Sequence, residues 1–187
     1  MKRYVFLAAA LFLALGVIGL LSRPATVQSP EGAVLTGGWL WQINLDAVFP
    51  GAVLPSLLIF HADGTGFCSD AVAFGGVPWN MNRYTPFYGV WERIGPHEFT
   101  ATFLSLRFDT TNGNILVGIA RSRATLAFTS DWDHMAGTMH MDFLPCVGGN
   151  PLMCPNPLLA QESDWQPFSA TGSDFSFTCT RVSVVPY

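Results

Sequence analysis

The sequence predicts an all-β domain: an antiparallel meander of about eight strands closed into a barrel, preceded by an N-terminal signal or anchor helix. Three observations predict it. Beyond residue 36 the apolar residues come in short segments separated by Gly, Pro, Asn and Asp, with no sustained 3.6-residue period. Tight-turn residues join several consecutive segments. An apolar run preceded by two basic residues opens the chain.

The N-terminal segment has the residue order of an export signal. Lys2 and Arg3 precede the uncharged apolar run 4–21. No A-x-A-like triplet follows, and the run is just long enough to span a bilayer, so an uncleaved membrane tether is the alternative. We expect residues 1–30 to be a signal peptide or anchor, and residues 31–187 to form one domain. That domain would be secreted, periplasmic or tethered to the outer face of the cytoplasmic membrane.

The charge of the predicted domain excludes one class of partner. Residues 31–187 carry six arginines, no lysine and thirteen acidic residues, which leaves a net charge of −7. A protein that binds a phosphate backbone needs a basic surface. We therefore expect no nucleic-acid partner.

Eight segments have the length and composition of β-strands. They are residues 38–46, 54–61, 66–74, 87–94, 98–109, 115–128, 135–144 and 174–184. Asp63-Gly64, Gly95-Pro96 and Asn112-Gly113-Asn114 supply turns between them. Residues 75–86 and 145–167 do not fit the strand pattern and are predicted to be long loops.

Four cysteines lie beyond the N-terminal segment: Cys68, Cys146, Cys154 and Cys179. An even count in an exported chain predicts disulfides, with three possible pairings. Cys146 and Cys154 can meet by closing one short loop with two glycines and a proline. Cys68 would then pair with Cys179 and tie an early strand to the last one. A C-x7-C metal or redox pair is the alternative, but there is no C-x-x-C motif and few imidazoles lie nearby.

Gly37-Gly38-Trp39 opens the first predicted strand, and Cys179-Thr180-Arg181-Val182 lies in the last. These segments resemble the calycin group, which includes lipocalins and fatty-acid-binding proteins. The resemblance implies a lipocalin-like barrel whose closed end carries Gly37 and Trp39, with the Arg181 guanidinium stacked on the indole. Such a cation–π contact contributes on the order of 0.5 to 2 kcal/mol.

His61-Ala62-Asp63-Gly64-Thr65 and Gly89-Val90-Trp91-Glu92-Arg93 also resemble exported bacterial proteins of lipocalin-like or allene-oxide-cyclase-like type. This resemblance implies either a binding barrel or a cofactor-independent cyclase or isomerase. The acid–base groups available for such a reaction are Glu92, Glu98, His61 and His97. No motif assigns them a role, and no hydrolase or nucleotide motif occurs. We expect no cofactor.

Six tryptophans and many phenylalanines predict an aromatic barrel interior, which suits an apolar or planar ligand. We predict Trp79, Tyr84 and Phe87 at the rim of a cavity, because they belong to the first long loop. The alternative is that the rings fill an interior only just wide enough for side chains or one small ligand.

Three arginines are candidates for binding a carboxylate: Arg107, Arg121 and Arg123. Each shares strand parity with an apolar set, which is Phe99, Ala101 and Phe103 for the first and Ile115, Val117 and Ile119 for the other two. If those sets face inward, the arginines lie near one end of the cavity. We favour the alternative, in which they pair outside the barrel with Asp109, Glu98 or Glu92.

Asp131-Trp132-Asp133-His134-Met135 and Met139-His140-Met141 combine imidazoles with thioethers, which suits Cu(I). Strand alternation separates His140 from its two methionine neighbours, so we interpret the first stretch as a hairpin turn and predict no metal site.

We predict an exported barrel that holds a small apolar or amphipathic molecule. The alternatives are an allene-oxide-cyclase-like enzyme and a structural envelope protein with a filled barrel.

Overall fold

The computed structural model describes residues 34–70, 82–111, 113–129, 131–168 and 173–183. The predicted signal or anchor, residues 1–30, lies outside them. Across the described ranges, no helix combines the length and apolar character needed to cross a bilayer.

Within the described residues there are ten strands. They are β1 (Gly37–Asn44), β2 (Val53–Phe60), β3 (Thr65–Asp70), β4 (Asn82–Tyr84), β5 (Phe87–Arg93), β6 (Glu98–Asp109), β7 (Ile115–Phe128), β8 (His134–Pro145), β9 (Gln166–Pro167) and β10 (Asp174–Arg181). Each of the eight predicted strands is present in the described residues, while residues 71–74 and 184 of two predicted strands lie outside them. The short strands β4 and β9 lie in the two regions predicted to be loops. Both strands are too short to show an alternating pattern, and the proline and glycine residues around them are typical of loops.

The long strands pair antiparallel in the order β1, β2, β3, β5, β6, β7, β8, β10, and β10 returns to pair with β1. In the part of the chain that the structure describes, this is a closed barrel of eight strands. β4 adds to β6 and β9 adds to β8. Closure leaves the barrel without a free sheet edge. The predicted all-β antiparallel barrel is confirmed.

Alternation along the strands separates an apolar interior from the outer surface. In β2, for example, Leu54, Ser56, Leu58 and Phe60 are buried and the residues between them are exposed. Large aromatic side chains from β5 and β6 fill much of the interior. The facing positions of β7 are small, since Phe103 lies opposite Ser122 and Ala101 lies opposite Ala124. This holds around Phe103, whereas Phe99 lies opposite the larger Leu126, so the free space differs along the strand pair.

Arg181 closes one end of the barrel. Its guanidinium carbon lies 4.2 Å from the centre of the Trp39 ring, the contact that the calycin resemblance implies. The same guanidinium donates hydrogen bonds to the backbone carbonyls of Val34, Thr36 and Trp132, and it pairs with Asp133. Arg181 therefore ties the entering chain, the β7–β8 turn and the last strand to the first strand.

Gly37 makes this closure possible. Its φ of +132° is unfavourable for a residue with a side chain, and an added Cβ would lie 3.2 Å from Nη1 of Arg181. Trp39 is fully buried, and its indole N–H donates to the carbonyl of Leu35. The G-x-W segment thus presents the ring to the arginine while the backbone passes close to the guanidinium.

The cysteines follow the sequence prediction in one pair and depart from it in the other. Cys146 and Cys154 form the predicted disulfide. Cys68 and Cys179 are free and buried, so their predicted pairing is wrong. Cys179 on β10 is separated from Cys68 on β3 by β1 and β2, so the two residues do not lie on neighbouring strands. A disulfide needs Cα atoms within about 7 Å.

Arg181→Ala should lower the free energy of unfolding by about 3 kcal/mol, because three backbone carbonyls lose their donor and the Trp39 ring loses its cover. Arg181→Lys should lose less, since it keeps the charge but not the planar group. Urea denaturation measures both. Arg83→Ala is the matched control, because Arg83 is exposed on β4. Equal losses in the Arg181 and Arg83 variants would contradict the assignment.

The thiols of Cys68 and Cys179 should resist alkylation at pH 8 in the folded protein. Burial raises the pKa of Cys68 above its ordinary value and raises that of Cys179 to about 12. The reactive thiolate is thus rarer at pH 8 in the folded chain than in the unfolded chain, where the pKa is about 8.5. Mass spectrometry should find two adducts only after unfolding, and a linked Cys146–Cys154 peptide. A linked Cys68–Cys179 peptide would overturn this assignment.

Candidate functional site

An apolar cavity lies inside the barrel at the end opposite Arg181. Its outer wall comes from the β1–β2 connection, with Leu45, Val48 and Phe49, from the end of β3 and from Phe168 just after β9. Strand residues form the deeper wall: Trp41, Ile43, Leu54, Tyr84, Phe87, Phe103, Met139, Met141 and Phe175. We call this end of the barrel the open end.

The cavity has a volume of about 80 Å³. Sites for drug-sized ligands have roughly 300–1,000 Å³, so this cavity suits a small molecule or one narrow chain. Met139 and Met141 are flexible side chains that can adapt to an occupant.

Polar groups occur among the lining residues, which include Trp41, Cys68, Asp70, Tyr84 and Ser122. Ser122 donates to the sulfur of Met139 at 3.6 Å. Trp41 is only 3% exposed, and its Nε1 has no hydrogen-bond partner among the described residues. Ser56, its register neighbour on β2, also has a buried hydroxyl without a described partner. A buried donor without a hydrogen-bond partner destabilises the folded state unless water or a ligand atom accepts from it.

Two of the predicted rim residues line the cavity. Tyr84 and Phe87 are buried there with stacked rings 6.2 Å apart, and Tyr84 also contacts Phe168. The third, Trp79, lies outside the described residues. Trp41, Asp70 and Ser122 are functional candidates that the sequence reasoning missed. Strand alternation could have found Asp70, since it shares the inward parity of Cys68.

Arg107 lies beside the cavity wall at the open end. It is the register partner of Tyr84, and its guanidinium carbon lies 4.3 Å from the centre of the Phe143 ring. Phe143 in turn covers Gly118, where an added Cβ would lie 2.3 Å from the ring. The Nε of Arg107 is buried without a hydrogen-bond partner among the described residues. The Arg107 guanidinium can therefore donate a hydrogen bond to an anionic group.

Arg121 and Arg123 lie on the outer face of β7, away from the cavity. The burial pattern of β7 shows that the set with Ser122 faces inward, so the apolar set that shares the parity of the arginines faces outward. Arg121 donates two hydrogen bonds of 2.8 Å to the buried Asp142 and two more to Glu162. It also lies 3.9 Å from the centre of the Trp165 ring.

The partners of these arginines differ from those predicted. Asp142 and Glu162 take the place of Asp109, Glu98 and Glu92, and Arg123 also contacts Asp142 at 2.8 Å. The hydrogen bonds to Asp142 raise the pKa of Arg121, and the hydrogen bond from Arg121 lowers the pKa of Glu162. These arginines fasten the segment before β9 to the barrel wall and lie outside the set of residues that line the cavity.

The acid–base candidates lie at the closed end. Glu92 and Glu98 are exposed near the β5–β6 turn, and His97 is exposed with its ring 5.0 Å from that of Trp132. His61 is exposed next to the β2–β3 turn. None of these four lines the cavity described above.

Strand alternation also separates the ligands considered for Cu(I). Met139 and Met141 line the cavity, whereas His140 points outward and contacts Asp174 at 2.7 Å. Asp131 and His134 contact each other within the β7–β8 turn at 2.9 Å. The imidazoles and the cavity methionines therefore face opposite sides of the barrel wall.

Comparisons with protein-family models, with curated proteins and with solved structures gave no match to this chain.

Proposed function

We propose that the barrel binds a small apolar or amphipathic molecule in the cavity at its open end. The observation that carries this proposal is the cavity itself, with its wall of aromatic, aliphatic and thioether side chains. A structural barrel filled by its own side chains, which is one of the alternatives, would not leave this cavity. An apolar occupant gains about 25 cal/mol for each Å² of apolar surface that it removes from water.

The polar groups near the cavity favour an amphipathic ligand. The backbone of Arg107 pairs with that of Tyr84, which lines the cavity. The Nε of Arg107 has no hydrogen-bond partner among the described residues. A carboxylate on the ligand can neutralise it at the open end while an apolar tail enters the barrel. The Trp41 N–H lies in the deeper wall and can donate to a ligand oxygen or to water.

The observations favour binding over catalysis. A cyclase would need an acid or base within hydrogen-bond reach of its substrate. Glu92, Glu98, His61 and His97 are exposed near the closed end, and the cavity lies at the other end. Among the described residues, Asp70 supplies a carboxyl to the cavity wall, whereas none of the four groups considered for a cyclase lies there.

The proposal includes export of the barrel from the cytoplasm. Two features support it: the basic and apolar order of residues 2–21, and the Cys146–Cys154 disulfide. Disulfides persist in oxidising compartments such as the periplasm and the extracellular space. The ligand would then be a molecule met outside the cytoplasm.

Ser122→Leu should weaken ligand binding by about tenfold or more, a change that needs only about 1.4 kcal/mol. The larger side chain would occupy much of the cavity. Thr125→Leu is the matched control, because Thr125 is exposed on the outer face of the same strand. Quenching of tryptophan fluorescence by fatty acids, retinoids and polyketide-like compounds is the measurement.

Trp41→Phe should remove most of the ligand-dependent fluorescence, because Trp41 lines the cavity, whereas Trp132→Phe should leave it unchanged. The absence of any response in the wild-type chain across the panel would refute the proposed function. Equal binding by the Ser122 and Thr125 variants would place the ligand elsewhere.

Arg107 should give the protein a preference for a carboxylic acid over its methyl ester. We expect this preference to be about tenfold in the wild type, to persist in Arg107→Lys and to be lost in Arg107→Ala. Arg83→Ala removes an exposed arginine from β4 and is the charge-matched control. Competition between a long-chain acid and its ester measures the ratio. An unchanged ratio in Arg107→Ala would exclude Arg107 from the site.

A further inference from the structure

The connection between β8 and β9 exposes apolar side chains to an unusual degree. We call residues 146–160 the leucine loop. Leu152 is 92% exposed, Leu158 is 83% exposed and Leu159 is 75% exposed, with Met153 between them at 54%. Exposed apolar patches on a protein surface are typical of interaction sites.

Two turns of the same sequence present these leucines. Asn150-Pro151-Leu152 and Asn156-Pro157-Leu158 both place an asparagine two residues before the leucine. In each turn the asparagine Oδ1 accepts from the leucine N–H at 3.0 Å. The asparagine carbonyl then accepts from the following residue, Met153 or Leu159, at 2.9 or 3.1 Å. The repeated turn holds both leucines outward by the same backbone geometry.

The base of the leucine loop is fixed to the barrel. Its first half is closed by the Cys146–Cys154 disulfide, and the N–H of Cys146 donates to the carbonyl of Val117 on β7. Just after the loop, Trp165 packs with Ile119 and Leu144 on the outer wall. The exposed leucines are therefore held on a braced segment, which lowers the entropy lost when they bind.

The charge distribution identifies the kind of surface that the loop fits. Residues 143–161 contain no charged side chain, although residues 31–187 carry a net charge of −7. An acidic domain is repelled by anionic lipids and by acidic proteins. An uncharged apolar loop on such a domain matches a neutral surface.

We propose that the leucine loop inserts into the surface of a bilayer with neutral, zwitterionic headgroups. Its leucines protrude, so a flat protein surface would leave most of their area in water. Lipid chains are fluid and close around a protruding side chain on every side. Amphipathic helices that lie in the interface bury their apolar face about 5–10 Å deep, which is the level of the headgroups and the first acyl carbons. We expect the leucines to reach the same level.

The location of the loop relates this contact to the cavity. The loop begins at the end of β8 that borders the open end. Docking there would bring the mouth of the cavity towards the bilayer, where apolar molecules accumulate. Exchange of ligand with the bilayer rests on the proposed function, whereas docking by the leucines does not.

Oxidation of Met153 in the full chain tests the docking. Chloramine-T is an anionic oxidant that converts exposed methionine to its sulfoxide, and peptide mass spectrometry reads each methionine separately. With phosphatidylcholine vesicles at about 1 mM lipid, the oxidation rate of Met153 should fall about tenfold if the loop binds as strongly as a single myristoyl chain, with an association constant near 10⁴ M⁻¹. The readout is local, so any attachment through residues 4–21 does not produce it.

The variants separate the leucine loop from other apolar surface. The double variant Leu152→Asp/Leu158→Asp should lose the protection of Met153, with an unchanged circular dichroism spectrum because both side chains are exposed. Leu57→Asp is the matched control, since Leu57 is 58% exposed on the barrel wall and its change should preserve the protection. Phosphatidylglycerol vesicles should protect Met153 less than phosphatidylcholine does.

Each contrary result overturns the proposal in a distinct way. Unprotected Met153 with every vesicle would exclude a lipid surface. Protection that rises with protein concentration in lipid-free buffer would assign the leucines to a second copy of the chain. Stronger protection by the anionic vesicles would refute the commitment to neutral lipid. Met153 protection without ligand quenching of Trp41 would retain the docking and reject the proposed function.

Discussion

The contact between Arg181 and Trp39 is the interaction on which this barrel depends. One planar cation covers the ring, satisfies backbone carbonyls of the entering chain and of the β7–β8 turn, and pairs with Asp133. Lysine could supply the charge but not this fork of donors. The contact adds to the backbone ladder between β1 and β10 that closes the barrel, and it covers the aromatic interior at this end. The cavity lies at the opposite end.

Volume inside the barrel decides where that cavity lies. Trp39, Trp91, Phe99 and Phe128 form a chain of ring contacts in the closed half, with ring centres 5.8 to 5.9 Å apart. Towards the open end, the small side chain of Ser122 faces Phe103 across the ladder. An eight-stranded barrel is only just wide enough for its side chains, so small residues on β7 become free space. The cavity is thus a consequence of how side-chain volume is distributed along the barrel.

The outer surface shows a similar division of roles. Arg121 and Arg123 join Asp142 and Glu162 in an ion-pair network that fastens the segment before β9 to the wall. Buried charges such as Asp142 are tolerated only when they are paired. Next to this network the chain carries no charge and presents protruding leucines. The connection between β8 and β9 is thus held to the barrel by ion pairs near its end, and its exposed part is apolar.

The sequence by itself determined the eight long strands and the aromatic interior, and it included the short disulfide among the possible pairings, because these depend on local spacing and residue type. It also identified Tyr84 and Phe87. Only the tertiary structure decided which face of β7 points inward, since both faces are rich in apolar residues and alternation gives no direction. That decision placed Arg121 outside and Ser122 inside. Strand order separated Cys68 from Cys179. The inward face of β7 and the separation of the two cysteines depend on side-chain volume and on which strands are neighbours in the barrel. A local sequence pattern contains neither.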